Sequence, residues 1–419
     1  DEEIWMEFPK EYDDYLEETH KIIKDPRTYC VKLNKALYGL VQAARQWWKK
    51  FKEIMLSLNF KPSTADPCLF VRTNPTNEIT SFVILYVDDG GIIGTQDTID
   101  ELVSGLSEDF KVKYLGQMEH FVGCHLIENK EKDTLWIHQP KLMKNLKTHF
   151  GQLIESVRFF STPAIPRTVI IRPNAEEEKL STEDQTKFRS GVGMLLYLVK
   201  HSRPDIANAV RELSKVADGA TEAHWKALLQ VIKYVLSTEN YGLKIKPTLK
   251  ENFYMEGISD SEYAGDKDTR ISVYGYILYF CGAPIAWKSK GGKSVTLSST
   301  EAEYVASSEI AKEAIFVKNL LDSIGIKIEL PITIRVDNVG AIYLANNYST
   351  SQRTKHIDIR AHFLREYIEN GIIKVLFIRS EDNDADILTK NTPEDLFHSH
   401  ASKNVDKIKE LVKTDTNEQ

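Results

Sequence analysis

The alternation of apolar and polar positions divides the chain into segments with different predicted elements. Residues 1–125 combine short β-rich runs with amphipathic helices, the longest of them over residues 42–58. Residues 190–250 are predicted to be helical, and from about residue 252 strands and helices alternate. Because a chain of 419 residues is too long for one core, we expect a multidomain α/β and α+β protein. The predicted divisions are residues 1–125, 126–250, 251–395 and a polar, frayed tail over 396–419.

Residues 81–94 carry the clearest local signal, because an apolar run leads to Asp88-Asp89 and a second apolar run follows Gly90-Gly91. This pattern predicts a buried hairpin with two carboxylates at its tip. Adjacent carboxylates repel each other, so a divalent cation would favour keeping them together. The alternative is an exposed Asp-Asp-Gly turn, a common hairpin signal. In the helix that follows, Thr98 and Glu101 have the spacing of a capping box.

The predicted helix over residues 42–58 lies in a basic zone that also contains Trp47 and Trp48. One interpretation is a helix with core tryptophans and solvated lysines. The other is a surface that meets phosphates and bases. On the second interpretation, Lys35 and Arg45 are candidate nucleic-acid contacts.

The C-terminal part of the chain places four acidic residues at the ends of predicted elements. We expect Asp260 and Asp337 at the ends of strands, Glu303 in the first turn of a helix over 299–323, and Asp386 at the start of a last helix. Strand ends and helix starts converge at one edge of an open α/β sheet, so the four acids can form one cluster. Such a cluster requires cations, and Mg²⁺ would use carboxylate and phosphate oxygens. Taken singly, each acid also fits a turn or a helix cap.

Composition constrains these hypotheses without deciding between them. The hydrophobic content of 42% and the charged content of 27% are typical of a soluble globular protein. The formal net charge of −7 does not favour nucleic-acid binding, which would have to use local basic surface. No apolar run has the length of a membrane span, and the four cysteines lack metal-site spacing. Residues 161–190 are the expected linker, because prolines and acids interrupt any periodicity there.

Over about residues 2–395 the chain resembles the reverse transcriptase and RNase H part of a Ty1/copia-type LTR retrotransposon polyprotein. The motifs that carry the resemblance are Lys35-Ala36-Leu37-Tyr38-Gly39-Leu40 with Gln42-Ala43, Leu85-Tyr86-Val87-Asp88-Asp89, Ser202-Arg203-Pro204-Asp205-Ile206-Ala207, Asp260-Ser261, Leu297-Ser298-Ser299-Thr300-Glu301-Ala302-Glu303-Tyr304, Lys355-His356-Ile357-Asp358-Ile359 and Ala385-Asp386-Ile387-Leu388-Thr389-Lys390. The resemblance implies a partial reverse-transcriptase palm and thumb, a helical connection and an RNase H-like α/β domain.

The resemblance also assigns roles to individual residues. Asp88 and Asp89 match the paired polymerase aspartates, and Gln42 matches a residue of the nucleotide-binding region. Leu115 and Gly116 match the region that grips the primer. The metal-binding acids of RNase H correspond to Asp260, Glu303, Asp337 and Asp386.

The implied function is an RNA-dependent DNA polymerase with RNase H, which copies element RNA and hydrolyses the RNA of the hybrid. The implied cofactor is Mg²⁺, two ions per active site, with Mn²⁺ as the alternative. The implied partners are RNA template, DNA primer, RNA–DNA hybrid and dNTPs, together with other element proteins or a dimer partner, and no membrane. The expected location is the cytoplasmic element particle or the nucleus.

The same resemblance places the third polymerase aspartate upstream of residue 1, so we expect the polymerase site of these 419 residues to be incomplete. The hydrolytic site has all four acids. Two alternatives stay open. One is a catalytically inactive nucleic-acid-binding remnant or host-retained copy, and the other is a metal-dependent phosphohydrolase that acts on small substrates.

Overall fold

The structure of the protein is a computed structural model, which describes residues 3–7, 30–37, 39–76, 78–347 and 358–409. These residues belong to two compact units. Residues 1–85 and 92–114 contribute to the first unit, and residues 86–91 and 115–419 to the second. Most of the motif at 355–359 lies outside the described residues. Within the described ranges, no helix has the length and apolar character needed to span a membrane.

The N-terminal part of the chain contains two sheets and two helices. Its strands are β1 (Trp5–Glu7), β2 (Cys30–Lys32), β3 (Phe60–Pro62), β4 (Leu69–Thr73), β5 (Ile79–Tyr86) and β6 (Asp89–Ile93), and its helices are α1 (Ala43–Ser57) and α2 (Gln96–Ser107). β1 pairs with β2, and the other four strands form one sheet in the order β3-β4-β5-β6. The predicted hairpin is therefore present, between β5 and β6.

The core of this part lies under α1, whose apolar residues Phe51, Ile54 and Met55 follow the three- and four-residue spacing of one helix face. Trp47 stacks on Phe51 with 5.3 Å between the ring centroids, so this tryptophan follows the core interpretation. Lys35 and Arg45 are exposed, which leaves the nucleic-acid interpretation open for them.

Two local predictions need correction here. Along β5, Val83 and Leu85 are buried whereas Ile84 and Tyr86 are exposed, so the hairpin is buried on one face only. The alternation of β5 side chains across the sheet explains this result. The helix α2 begins earlier than predicted, because the hydroxyl of Thr95 accepts a hydrogen bond from the backbone N–H of Thr98.

The second unit contains two five-stranded sheets and the remaining helices. Its strands are β7 (His120–Phe121), β8 (Cys124–Glu128), β9 (Leu135–His138), β10 (Tyr241–Ile245), β11 (Met255–Glu262), β12 (Val273–Phe280), β13 (Ala283–Gly291), β14 (Ile332–Val336), β15 (Ile373–Phe377) and β16 (Val405–Lys407). Its helices are α3 (Pro140–Phe150), α4 (Thr182–His201), α5 (Ala207–Ser214), α6 (Glu222–Ser237), α7 (Ser299–Ser323), α8 (Val339–Asn346), α9 (Asp358–Glu369) and α10 (Glu394–Asn404). The sheet orders are β16-β10-β9-β8-β7 and β13-β12-β11-β14-β15.

The second of these sheets, β13-β12-β11-β14-β15, is covered on both faces. β11, β12 and β13 are antiparallel, and β14 and β15 continue the sheet parallel to β11. On one face Leu278 packs in a core with Tyr304 and Ile310 of α7. On the other face Ile258 and Ile277 belong to the core formed by α3 to α6. Burial on both faces explains why β12 is an almost continuous apolar run.

The region from α4 to α6 holds a buried ion pair that accounts for the Arg203-Pro204-Asp205 motif. The Arg203 guanidinium is fully buried and donates two hydrogen bonds to Asp205, of 2.9 and 2.8 Å. Tyr234 donates a third hydrogen bond to the same carboxylate, of 2.9 Å. Because a buried pair of this kind needs all its partners, we assign this motif a structural role. The predicted linker is also shorter than 161–190, since α4 begins at Thr182.

The predicted polar tail is wrong for the residues that the structure describes beyond 393. α10 buries Phe397 and His400, and β16 pairs antiparallel with β10 through Val405 and Leu243. The few apolar residues of this segment lie among many charged ones. Its average composition is therefore polar although one face of it is buried. Residues 410–419 lie outside the described residues. At the level of fold class, the mixed α/β prediction with several sheets is confirmed.

Candidate active site

Asp260 lies in β11, the central strand of the sheet β13-β12-β11-β14-β15, and only 2% of it is exposed. The sequence placed it at the end of a strand. The strand instead continues to Glu262, because β11 stays paired with β12 as far as the Glu262–Val273 pair. The hydroxyl of Thr389 donates a hydrogen bond to Asp260 Oδ2.

Asp337 directly follows β14, as predicted. Since β14 is parallel to its neighbour β11, the carboxyl ends of the two strands lie at the same edge of the sheet. Ser380 donates a hydrogen bond of 2.7 Å to Asp337 Oδ2. The next residue, Asn338, caps α8 by accepting a hydrogen bond of 3.0 Å from the N–H of Ala341.

Glu303 lies in the second turn of α7, not the first, because Ser298 is the N-cap and accepts from the N–H of Glu301. The backbone N–H and the hydroxyl of Ser261 donate to Glu303 Oε1, at 2.9 and 2.8 Å. The other oxygen, Glu303 Oε2, is buried and has no hydrogen-bond partner in the described part of the chain. One oxygen is thus held in place, and the other is available to a ligand.

These three acids form the group expected from the sequence. One carboxylate oxygen each from Asp260, Glu303 and Asp337 lies within 4.8 Å of the other two. Among the described residues this is the only group of three or more histidine, cysteine or acidic side chains with that spacing. Carboxylate oxygens are the ligands that Mg²⁺ and Mn²⁺ prefer.

Asp386 lies beside this group, on a short 3₁₀ turn that we call the acidic turn (Asp384–Leu388). The prediction that the last helix starts here is wrong in type and extent, because the turn is 3₁₀ and the last α-helix begins only at Glu394. Asn383 fixes the turn, because its side chain donates to the carbonyl of Ser259 and accepts from the N–H of Ala385, at 3.2 and 3.1 Å. Asn383 is thus the N-cap of this 3₁₀ turn and also ties it to β11.

Lys390 links Asp386 to the central strand. Its Nζ lies 3.0 Å from Asp386 Oδ1 and 3.8 Å from Asp260 Oδ2. The acidic turn can lie this close to β11 because Gly275 is the residue paired with Asp260 on β12. A Cβ on Gly275 would lie 2.8 Å from Cβ of Leu388 and 3.1 Å from the carbonyl oxygen of Ala385.

Burial shapes the electrostatics of the cluster. It is the main cause that raises the pKa of Glu303 to about 9, with repulsion from Asp260 second and the Ser261 hydrogen bonds opposing. Burial, then Asp260, raises the pKa of Asp386 to about 7. Burial also raises the pKa of Asp260, against the ammonium group of Lys390. Although burial lowers the pKa of Lys390, the carboxylates of Asp260 and Asp386 outweigh it and raise that pKa well above its ordinary value.

A pH dependence of stability follows for the metal-free protein. Because the folded pKa of Glu303 is raised from 4.5 to about 9, the folded state binds more protons than the unfolded state between those values. This contribution to stability is complete below the unfolded pKa and is lost as the pH rises through the folded pKa. We expect the Tm in EDTA to fall between about pH 5 and pH 9. In Glu303→Gln the fall should be smaller, and an equal fall in both proteins would contradict the assignment.

The residues predicted for polymerisation lie at exposed positions. Asp88 is in the turn of the β5–β6 hairpin and Asp89 begins β6, and both side chains are exposed. Gln42 occupies the N-cap position of α1 without a side-chain capping bond, and it is exposed. Leu115 is 75% exposed, and Gly116 follows it at φ +80°. The structure thus places Asp88 in an exposed turn and Asp89 at the exposed start of a strand, and the residue roles implied by the resemblance stay predictions.

Several residues of the site were not predicted from the sequence to be functional. Ser261 and Lys390 were inside recognised motifs, and that was the available signal for them. Ser380 and Gly275 had no such signal, because each acts on a residue far away in the chain.

Comparisons with known proteins identify the family. The family described as "Reverse transcriptase (RNA-dependent DNA polymerase)" matches residues 9–151. The chain is 34% identical over 404 residues to the "Retrovirus-related Pol polyprotein from transposon TNT 1-94" of Nicotiana tabacum, which covers 95% of this chain and 29% of that protein. The chain belongs to the Ty1/copia-type retrotransposon polyproteins. The resemblance stated from the motifs is therefore confirmed.

Other matches define the extent of this relationship. The retrotransposon polyprotein from transposon RE1 of Arabidopsis thaliana is 36% identical over 392 residues, which is 91% of this chain and 25% of that protein. The chain thus spans 25% to 29% of the length of these two relatives. A solved chain titled "Structure of the foamy viral protease-reverse transcriptase dRH in complex with ds DNA" matches at a TM-score of 0.21 and 11% identity, over 86% of this chain and 54% of that one. A likeness of that size says nothing about the fold.

Proposed function

We propose that this retrotransposon polyprotein region hydrolyses the RNA strand of RNA–DNA hybrids in a metal-dependent reaction, as an RNase H. The observation that carries the proposal is the group of Asp260, Glu303 and Asp337, of which the first two are buried and which brings one oxygen from each residue within 4.8 Å of the others. On this proposal, residues 1–125 are partial fingers and palm, residues 126–250 are thumb and connection, and residues 251–395 are the RNase H-like domain.

The donor set of the cluster fits a divalent cation. Glu303 Oε2 is buried and lacks a hydrogen-bond partner among the described residues, and leaving a buried carboxylate oxygen unpaired is costly. Asp260, Glu303 and Asp337 would hold the ion, with Asp386 as a fourth carboxylate beside them. When bound, Mg²⁺ or Mn²⁺ supplies an activated water and charge stabilisation at the phosphate.

The neighbouring side chains keep the acids in position for this role. Ser261 holds one oxygen of Glu303, and Ser380 holds one oxygen of Asp337. Thr389 does the same for Asp260. Hydrogen bonds to ligating carboxylates fix their orientation, and Glu303 keeps its Oε2 without such a bond among the described residues.

The choice of an RNA–DNA hybrid as substrate is supported by family membership. The chain carries a region that matches reverse transcriptases, and a reverse transcriptase produces a hybrid of RNA and new DNA. Discrimination of the RNA strand would depend on contacts to its 2′-hydroxyl groups in the shallow minor groove. The net charge of −7 makes binding dependent on local basic surface and sensitive to salt.

The proposal is tested with the full chain and strand-specific labels. The substrates are an RNA–DNA hybrid, duplex RNA and duplex DNA of the same sequence, each with Mg²⁺, with Mn²⁺ and with EDTA. We expect cleavage of the RNA strand of the hybrid alone, and none in EDTA. A folded protein that leaves the hybrid intact would contradict the proposal. Binding of the hybrid without turnover would favour an inactive remnant, and faster hydrolysis of free nucleotides would favour a small-substrate phosphohydrolase.

RNA-directed DNA polymerisation is the second candidate function, supported by the family match over residues 9–151 and by the paired acids Asp88 and Asp89. In primer extension on an RNA template with dNTPs, any extension should be lost in the double variant Asp88→Asn, Asp89→Asn. Hybrid cleavage by that variant should stay within about twofold, because its acids belong to a different sheet. A chain that cleaves hybrids but extends no primer would contradict polymerisation by these residues.

A further inference from the structure

Lys390 is the one cation that the structure places directly against the acidic cluster in the described part of the chain. Its Nζ approaches Asp386 Oδ1 at 3.0 Å and Asp260 Oδ2 at 3.8 Å, so the ammonium group lies between these two carboxylates. Neither Asp386 nor Lys390 belongs to the group of three acids within 4.8 Å. Asp260 therefore contributes to two neighbouring positions, one shared with Glu303 and Asp337 and the other shared with Asp386.

The two positions differ in what neutralises them. At the first, Glu303 Oε2 is buried without a hydrogen-bond partner, and no basic side chain pairs with Glu303 or Asp337, as far as the described residues go. At the second, the ammonium group already supplies a positive charge. A divalent ion placed next to that ammonium would be repelled by it, and the repulsion is strong at a few ångström in a buried site.

We propose that Lys390 acts as a built-in cation at the position between Asp260 and Asp386. In the absence of nucleic acid the site then binds one divalent ion, held by Asp260, Glu303 and Asp337. A second ion enters only when the ammonium group leaves. This inference rests on the proposed function of the site. It keeps the expectation of two ions per site but predicts that the two ions bind with different affinities.

The side chain has room to leave. The Lys390 side chain is 38% exposed, whereas that of Asp386 is only 5% exposed. A lysine has a flexible stem of four carbons and a compact charge. An approaching phosphate offers the ammonium group a new partner, so substrate would both remove Lys390 from the carboxylates and open the second position. The side chain of the preceding residue is anchored to the site, because the Thr389 hydroxyl bonds to Asp260.

The alternative is that Lys390 is an ordinary ion pair that stabilises the acidic turn. On that alternative, removing its charge lowers stability but leaves the number of bound ions unchanged. Metal stoichiometry therefore separates the two cases.

The experiment is calorimetric titration of the full chain with Mn²⁺, without nucleic acid. The wild-type protein should bind one ion at the site, and Lys390→Gln should bind two, with the second at least on the order of tenfold tighter than in the wild type. Lys390→Arg, which keeps the charge, should bind one. Asp260→Asn lacks a ligand common to both positions and gives the background from other surface acids.

A double variant and a stability measurement complete the test. Lys390→Gln combined with Asp386→Asn should return to one ion, because the second position then lacks a carboxylate. In EDTA, Lys390→Gln should have a lower Tm than the wild type, and Mn²⁺ should raise its Tm by more. If Lys390→Gln does not fold, Lys390→Met, which keeps the apolar stem, replaces it.

Two equivalent ions in the wild type, or only one ion in the single variant Lys390→Gln or Lys390→Met, would overturn the inference. These outcomes are distinct from failure of the proposed function, because no nucleic acid is present in the titration. A chain that shows the predicted stoichiometry but leaves hybrids uncut contradicts the proposed RNase H function alone. A chain that cuts hybrids with unchanged stoichiometry in Lys390→Gln contradicts only the role of Lys390.

Discussion

Replacing Asp337 with asparagine should lower kcat for hybrid cleavage by on the order of 10³-fold or more, with the protein still folded. Asp337 lies just after β14 and is only half-buried. Asparagine has almost the same shape and can still accept the hydrogen bond from Ser380. The change removes the negative charge that a divalent cation needs, and little else.

Asp337 suits this test better than Asp260. The Asp260 carboxylate is buried, accepts from Thr389 and faces Lys390, so its replacement also disturbs neighbouring contacts. For Asp337→Asn, single-turnover cleavage should be measured together with the rise in Tm that Mg²⁺ causes, and both should be lost. Asp395→Asn, on the exposed first turn of α10, is the matched control and should cleave within about twofold of the wild type. Cleavage by Asp337→Asn at more than a tenth of the wild-type rate would remove Asp337 from the site.

The sequence predicted the site best where local signals and tertiary packing agree. The helix over residues 299–323 was predicted with its observed bounds, because Ser298 caps its first turn and Gly325 ends it at φ +78°. The strand over residues 273–280 was also predicted with its observed bounds, since its apolar run is uninterrupted. These two elements, with β14, were enough to place Glu303 and Asp337 at one edge of the sheet.

The prediction was weaker where a boundary depends on a partner strand or a distant segment. β11 continues past Asp260 because β12 remains paired with it, which no local pattern reveals. The acidic turn is held against β11 because Asn383 bonds to Ser259, more than a hundred residues away in the chain. The helix and strand formed by residues 394–407 were not predicted either. Their few apolar residues form no regular pattern in the sequence, and their burial depends on the strands and helices against which they pack.

For the paired aspartates of the hairpin, the sequence motif suggests a function, whereas the local structure alone does not. The turn is formed by Val87 and Asp88, Asp89 is the first residue of β6, and both aspartate side chains are exposed. By contrast, Asp260, Glu303 and Asp337 are brought together by a strand, a helix and a strand end that are tens of residues apart in the chain. The burial of Asp260 and Glu303 costs stability unless a cation compensates it, so the cluster is hard to explain by folding alone.

Gly275→Val should destabilise the protein by about 3 kcal/mol and lower hybrid cleavage by on the order of 100-fold. Gly275 faces Asp260 across the β11–β12 pair, and the acidic turn packs directly over it. A Cβ at this position would lie 2.8 Å from Leu388 Cβ and 3.1 Å from the backbone oxygen of Ala385, so the turn itself must move. That movement carries Asp386 away from Asp260, and displacements of about 1 Å in an active site are costly.

The matched control for this prediction is Gly291→Val, at the end of the adjacent strand β13, where a Cβ would meet nothing within 4 Å. Urea unfolding and single-turnover cleavage of both variants should show a large loss in Gly275→Val and changes within about 0.5 kcal/mol and twofold in Gly291→Val. Stability and cleavage should fall together, because the same turn supports the core through Leu388 and the site through Asp386. If Gly275→Val were destabilised but cleaved hybrids at the wild-type rate, Asp386 would have no part in the reaction, and Asp260, Glu303 and Asp337 would form the complete set of acids.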